Sequence, residues 1–242
     1  MTILKDLPNA FKSTVNIKDV HAYCYPLGNE ERLKKDISDI FVHCLSKEDW
    51  LASDKYRFPI IKKQVLATKA LSKYFVAKFT NNENIAALRF QRTPAGKPYI
   101  ADVPVNFSWS HCRSMFVIVL STTKELGVDV EAKQQYCTYN DLIPNLLSPN
   151  EKLAYEHAKD AEKEAVFLNF WTRKEAFLKA KGTGISTIDE LKKLDTSDYL
   201  RSAFEANNAR YQCAKIDIDN IHIAHIVATD TQNRLIDYGS NV

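Results

Sequence analysis

Two hydrophobic periods, one of strands and one of helices, alternate along the 242-residue chain and do so twice. This restricts the fold to the α+β class more firmly than any compositional figure. In the first half, residues 15–27 read as a strand, and Leu33, Ile37, Ile40, Phe41 and Cys44 recur at helical spacing. Ser46 with Asp49 marks a helix start. Ile61, Val65, Leu66, Leu71, Phe75, Val76 and Phe79 then form the apolar stripe of a long helix, followed by strand-like runs at 85–90, 107–111 and 115–122. The second half opens with a strand at 126–131. Ser148, Pro149 and Glu151 supply cap, first-turn proline and capping box for a helix. A further helix over 161–181 buries Val166, Phe167, Phe170, Trp171, Phe177 and Leu178 and stops at Gly182, a left-handed cap. Strands at 210–216 and 221–229 close the chain as a hairpin. Each half is expected to be an α+β lobe with its own small sheet, 1–122 and 123–242, with no repeat visible between their sequences.

Hydrophobic residues at 45% and charged residues at 26% exclude disorder and coiled coil. No apolar run approaches the ~20 residues of a membrane span, and the amino terminus lacks the apolar centre of a signal peptide. A cytoplasmic protein that engages no membrane is expected. Five scattered cysteines, Cys24, Cys44, Cys112, Cys137 and Cys213, fit reduced thiols. His222 and His225 lie on a strand with their rings on opposite faces, which reads as structure rather than metal ligation. Only six glycines are present, so Gly28, Gly96, Gly127, Gly182, Gly184 and Gly239 are expected to mark constrained backbone.

Charge is divided unevenly: +7 over residues 1–121 and −4 over 122–242, which sum to the net +3. Lys55, Arg57, Lys62, Lys63, Lys69, Lys73 and Lys78 lie between Asp54 and Glu83 with no acid among them. Such a run is either a solvated helix face or a surface for phosphate or an acidic partner.

Three acids carry the chemical signal. Asp129 and Glu131, two apart on a strand, project in parallel, and Glu175 on the following helix could complete an oxygen cage for a hard cation, with Mg2+ preferred. Trp171, Glu175 and Lys179 fall on one helix line. The bland alternatives are a solvated sheet face and a surface i, i+4 ion pair. In Gly96-Lys97-Pro98-Tyr99 a turn holds Lys97 outward, and in Ser108-Trp109-Ser110-His111 the adjacent Ser110 and His111 point to opposite faces, so they are not nucleophile and base to each other. His111 reads as a phosphate donor.

The ordered motifs Gly96-Lys97-Pro98, Phe107-Ser-Trp-Ser-His111, Gly127-Val-Asp-Val-Glu131 and Phe170-Trp-Thr-Arg-Lys-Glu-Ala-Phe-Leu-Lys-Ala180 with Gly182-Thr-Gly184 resemble the Sfp-type 4'-phosphopantetheinyl transferases. The resemblance implies two similar α+β lobes in a pseudo-dimeric, monomeric chain with coenzyme A as co-substrate in the cleft between them. It implies transfer of the phosphopantetheine arm to a serine of an apo acyl or peptidyl carrier protein, releasing adenosine 3',5'-bisphosphate. Asp129, Glu131 and Glu175 would hold Mg2+, Glu175 or a water it orients would take the serine proton, and Lys179 would neutralise the leaving phosphate. Arg92, Lys97, Ser110 and His111 match positions that grip the nucleotide, and Lys55 and Arg57 fall in the 3'-phosphate region. The chain departs from the family where Ile61 replaces an acid, Gln64 an arginine, and Lys62, Lys63 and Lys73 further arginines. Cys112 and Arg113 replace small residues after the Ser-His pair. Lys62, Lys63 and Lys69 are then expected to steer an acidic carrier. Another Mg2+-dependent phosphotransferase or phosphodiesterase is the alternative enzyme. A basic nucleic-acid-binding module is the alternative of another class, disfavoured because Tyr74, Phe75 and Phe79 lie on the apolar stripe.

Overall fold

The computed structural model describes residues 7, 10–28, 30–39, 41–101, 103–134, 143–183, 188–200, 203–206 and 209–230. Cys137, Gly184 and Gly239 lie outside them. The first half contains β1 (Phe11–Ser13), β2 (His21–Pro26), α1 (Glu30–Asp39), α2 (Lys47–Ser53), α3 (Pro59–Thr80), the β3–β4 hairpin (Phe90–Arg92, Pro98–Ile100), β5 (Asn106–His111) and β6 (Met115–Ser121). The second contains β7 (Leu126–Ala132), α4 (Ile143–Leu146), α5 (Pro149–His157), α6 (Asp160–Lys181), α7 (Ile188–Lys193), β8 (Phe204–Ala206), β9 (Ala209–Ile216) and β10 (His222–Thr229).

The strands form two antiparallel four-stranded sheets, ordered β1-β2-β6-β5 and β7-β10-β9-β8. In each, the first long strand (β2 or β7) pairs with the last (β6 or β10), which turns back on the one before it (β5 or β9). One topology is thus used twice, each time with a 22-residue helix, α3 or α6, between the first strand and the closing hairpin.

The two sheets share a core in which Ala22, Cys24, Val117 and Val119 meet Leu126, Val128, Val130, Ala224 and Ile226. Ser108 Oγ accepts the Val128 N–H at 3.2 Å, joining β5 to β7 where the sheets meet. Helix α3 packs on the first sheet, with Phe75 stacked between Tyr23 and Phe116 at centroid distances of 4.9 and 6.5 Å. Helix α6 lies across β7 and β10 and buries Ala176, Phe177 and Ala180 against Tyr211 and Val227.

A repeated polar device supports both long helices. Ser46 caps α2 in a capping box with Asp49, and Asp49 also receives the fully buried ammonium of Lys73 on α3. Ser148 caps α5 in a capping box with Glu151, and Glu151 pairs at 2.7 Å with the fully buried Lys174 of α6. In both places an acid at the third helical position satisfies its own helix start and then anchors the next helix. Glu151 Oε1 additionally accepts the backbone N–H and hydroxyl of Thr196 at 2.8 and 2.6 Å.

Several expectations require correction. The strand expected over 15–27 begins only at His21, because Asp19 adopts the left-handed conformation (φ 60) and breaks the run from Val15, and a separate short strand, β1, precedes it. Residues 85–87 form a 3-10 turn rather than a strand. The Ala86 carbonyl is thereby presented to Lys73 Nζ at 3.3 Å and to Arg89 Nη1 at 2.6 Å. Helix α3 is not a one-sided stripe: every residue from Ala70 to Ala77 is buried, whereas Ile61 is 40% exposed. Among the described residues no helix is long and apolar enough to cross a membrane.

Candidate active site

The site forms where β7, at the junction of the two sheets, faces α6. Alternation along β7 turns Asp129 and Glu131 to one side, and α6 carries Trp171, Glu175 and Lys179 along one line. Gly127 allows the two elements to approach so closely. A Cβ there would stand 2.2 Å from the Ala176 carbonyl oxygen and 2.3 Å from the Ala180 nitrogen, distances no side chain tolerates.

Asp129 is 5% exposed. Its Oδ1 accepts Lys179 Nζ at 2.6 Å and Ser110 Oγ at 2.8 Å, and Lys179 Nζ also lies 3.1 Å from Ser110 Oγ. Its Oδ2 is buried with no hydrogen-bond partner. Burial, and then the Asp129 charge, push the Glu175 carboxyl up to about 7 against the pull of Lys179, and Glu131 adds to the rise. Burial and Asp129 likewise raise Glu131, while a hydrogen bond from Trp171 and the charge of Lys179 oppose the shift. Trp171, expected among the buried residues of its helix and on the line of Glu175 and Lys179 but given no role there, therefore holds one of the acids. The signal was its place on the Glu175–Lys179 line. Lys179 reaches across to the strand and neutralises Asp129.

Among the described residues no three His, Cys, Asp or Glu side chains are close enough together to hold a metal ion as they stand. The donor set nevertheless suits a hard cation. Three carboxylates repel one another in a desolvated place, one oxygen is orphaned, and carboxylate oxygens with added waters are what such an ion takes.

Beside the acids lies a cavity of about 260 Å³ whose walls include Arg92, Lys97, Phe107, Trp109, Lys179 and Gly182. Three of the candidate phosphate-gripping cations, Arg92, Lys97 and Lys179, meet there. Lys97 Nζ lies 2.6 Å from Glu125 Oε2 and 3.2 Å from the Ala180 carbonyl, and Arg92 Nη1 donates to the Gly96 carbonyl at 2.7 Å. Glu125, not expected from the sequence, thus sets the position of Lys97. Gly96 (φ 89) and Gly182 (φ 74) turn the backbone at the two sides of this cavity. Ser110 is buried on the acids, and His111 sits at the exposed end of β5. Desolvation and the Lys179 charge lower the His111 pKa, against Asp129.

Lys55 and Arg57 are not among the cavity walls; they precede α3, with Lys55 Nζ 5.2 Å from the Tyr56 ring centroid. The basic run is also less free than its sequence suggests. Lys62 pairs with Asp54 at 2.5 Å, Lys69 with Asp49 at 2.7 Å, and Lys73 is wholly buried. The two strand histidines face apart: His222 meets Ser114 and Asp219, and the buried His225 meets Thr172 at 2.8 Å.

Residues 125–229, which contain β7, α6 and the closing hairpin, match the sequence profile of the 4'-phosphopantetheinyl transferase superfamily. The chain is 24% identical to the 4'-phosphopantetheinyl transferase HetI of Nostoc sp. over 76% of this chain and 78% of that protein. It is 30% identical to a phosphopantetheinyl transferase of Thraustochytrium sp. over 58% of this chain and 54% of that protein. With the 4'-phosphopantetheinyl transferase ffp of Bacillus subtilis it shares 31% identity over 43% of this chain and 45% of that protein. The match to the 4'-phosphopantetheinyl transferase superfamily is concentrated on the half that holds Asp129, Glu131, Glu175 and Lys179.

Proposed function

We propose that this protein transfers the 4'-phosphopantetheine arm of coenzyme A to a serine of an apo acyl or peptidyl carrier protein and releases adenosine 3',5'-bisphosphate. The observation that carries the reading is the network of Asp129, Ser110 and Lys179 with an orphaned Asp129 Oδ2 beside two carboxyls of raised pKa. Asp129, Glu131 and Glu175 would hold Mg2+, which supplies charge neutralisation for the pyrophosphate when bound. The remaining work belongs to the chain's own groups. Glu175, half-buried among the acids, or a water it orients, would take the proton of the attacking serine hydroxyl. The Lys179 ammonium, held by Asp129 and Ser110, is aimed at charge that grows on the leaving phosphate, where a fixed donor is worth most. Arg92 and Lys97 line the cavity in which phosphate groups would be gripped, and Lys97 would exchange Glu125 for phosphate. His111, at the exposed end of β5, would be a further donor.

Lys55 and Arg57 would meet the 3'-phosphate. The carrier would approach the start of α3, where Phe58 is 70% exposed and Ile61 40% exposed beside Lys62 and Lys63. An exposed aromatic flanked by cations suits an acidic partner with an apolar contact point. The test is to incubate the protein with coenzyme A, Mg2+ and a panel of apo carriers. The expected result is one arm added to the carrier serine for each adenosine bisphosphate released. Unchanged mass across acyl and peptidyl carriers, with folded protein, overturns the reading.

A further inference from the structure

Of the three cations at the cavity wall, Arg92 donates to a carbonyl, whereas Lys97 and Lys179 each meet a carboxylate. The acid on Lys179 is Asp129, a candidate metal ligand. The acid on Lys97 is Glu125, which lies outside the motifs of the transferase resemblance and is not among the cavity walls. Its place is nevertheless tightly fixed. Glu125 stands one residue before β7, its backbone N–H donates to Thr229 Oγ1 at 3.1 Å, and its carbonyl accepts the Thr229 N–H at 2.9 Å. The preceding Lys124 Nζ donates to the Thr229 and Asp230 carbonyls at 2.8 and 3.2 Å.

The cation is held as firmly. The Thr93 N–H donates to the Lys97 carbonyl at 2.9 Å, and the Lys97 N–H to Thr93 Oγ1 at 3.1 Å, closing the β3–β4 turn. A Cβ at Gly182 would stand 3.3 Å from Lys97 Cδ, so the stem of the lysine runs against the end of α6. Both side chains of the pair are only 12% exposed. An ammonium has three N–H donors, and Lys97 already serves Glu125 Oε2 and the Ala180 carbonyl. A phosphate in the cavity must share this ammonium or draw it away. Sharing sets two anions on one cation, and drawing it away leaves a poorly solvated carboxylate without its partner, which is costly. In both cases Glu125 opposes the hold on phosphate.

We propose that Glu125 is a built-in counter-ion that sets the affinity of this cavity for a nucleotide phosphate, keeping it weak enough for the adenosine bisphosphate product to leave. The inference rests on the reading above, in which Lys97 grips a phosphate of coenzyme A. Glu125 acts by charge across Lys97 rather than as a wall of the cavity. Without that carboxylate the cavity would grip substrate and product alike more tightly, and release would slow turnover.

Binding of adenosine 3',5'-bisphosphate, and of adenosine, which lacks phosphate, is measured by titration calorimetry on the full chain and its variants. Glu125→Gln keeps an acceptor for Lys97 and removes the charge. It is expected to bind the bisphosphate about three- to tenfold more tightly than wild type, with a matching fall in KM for coenzyme A and adenosine binding unchanged. Glu125→Asp keeps the charge and should stay within about twofold of wild type. Lys97→Gln strands the carboxylate and should weaken the bisphosphate about tenfold or more, and adding Glu125→Gln should recover most of that loss. This recovery carries the test if Glu125→Gln alone does not fold. Unchanged or weaker bisphosphate binding by Glu125→Gln, an equal gain for adenosine, or no recovery in the double variant overturns the proposal and leaves the transferase reading standing. A wild type that binds no bisphosphate and modifies no carrier overturns both.

Discussion

Helices α3 and α6 occupy matching places in the two halves, yet their charges are handled in opposite ways. On α3, the charges close on themselves: Lys69 and Lys73 both pair with Asp49, and Lys62 pairs with Asp54. Burial raises the Asp49 carboxyl, but hydrogen bonds from Lys69, Lys73 and Ser46 prevail and hold it at about 2. The position after the buried lysine is Tyr74, packed edge-on against Phe75. On α6, the buried Lys174 is likewise satisfied by Glu151, but the next residue is Glu175, which burial and Asp129 push up to about 7. One copy of the frame is filled with aromatic rings and complete ion pairs; the other leaves acids crowded and an oxygen orphaned. Crowded carboxyls with a buried, orphaned oxygen mark the place where a ligand is expected.

That contrast can be broken by experiment. The largest effect is expected from Glu175→Gln, which should lower transfer rate by about three or more orders of magnitude, measured in single turnover. The next tests the shared frame. Lys174→Met strands Glu151 and should cost about 3–5 kcal/mol in urea unfolding, whereas Lys73→Met leaves Lys69 on Asp49 and should cost less. Equal costs would mean that the second lysine does not compensate. Gly127→Ala comes third. It must force β7 from α6, and should cut activity more than Gly96→Ala, whose added Cβ meets nothing within 4 Å.

The pH dependence separates the two halves more gently. The folded state holds the Glu175 proton to about pH 7, while the unfolded chain releases it near the ordinary carboxylate value. Stability in metal-free buffer should therefore fall as pH rises between those values, by about 1–3 kcal/mol, and Glu175→Gln should remove that slope. Asp49 has the opposite sign: its contribution is present above the ordinary carboxylate pKa and is lost as pH falls towards about 2. Asp49→Asn should flatten the acid limb alone. The smallest effect is expected from Lys62→Glu with Lys63→Glu, which should slow carrier association several-fold at low salt and leave coenzyme A affinity unchanged. An equal loss of both would place these lysines in the nucleotide site.

What the sequence made legible was local. Ser46 and Ser148 announced their helices because a capping box closes within one turn. Asp129 with Glu131, and Glu175 with Lys179, shared faces because strand and helix periods dictate it. Contacts set by tertiary packing were hidden. Asp49 and Lys73 are 24 residues apart, so the repeat that ties each capping box to the next long helix could not be seen as a sequence repeat. The same distance problem concealed that Lys69 and Lys73 are neutralised, that Glu125 holds Lys97, and that Trp171 supports Glu131. Gly127 stands out in the sequence as one of six expected constrained backbone positions. Its deeper constraint, the missing Cβ against Ala176 and Ala180, needed the helix in place.

The most direct test pairs rate with stability for Glu175→Gln. Wild type and variant are incubated with apo carrier, coenzyme A and Mg2+, carrier mass is followed in time, and both proteins are unfolded in metal-free buffer at a pH above 7. If the crowded acids of the second half are the transfer site, wild type modifies the carrier, while the variant is nearly inactive and at least as stable. A variant that transfers at the wild-type rate, or loses activity only in proportion to lost stability, would contradict that assignment.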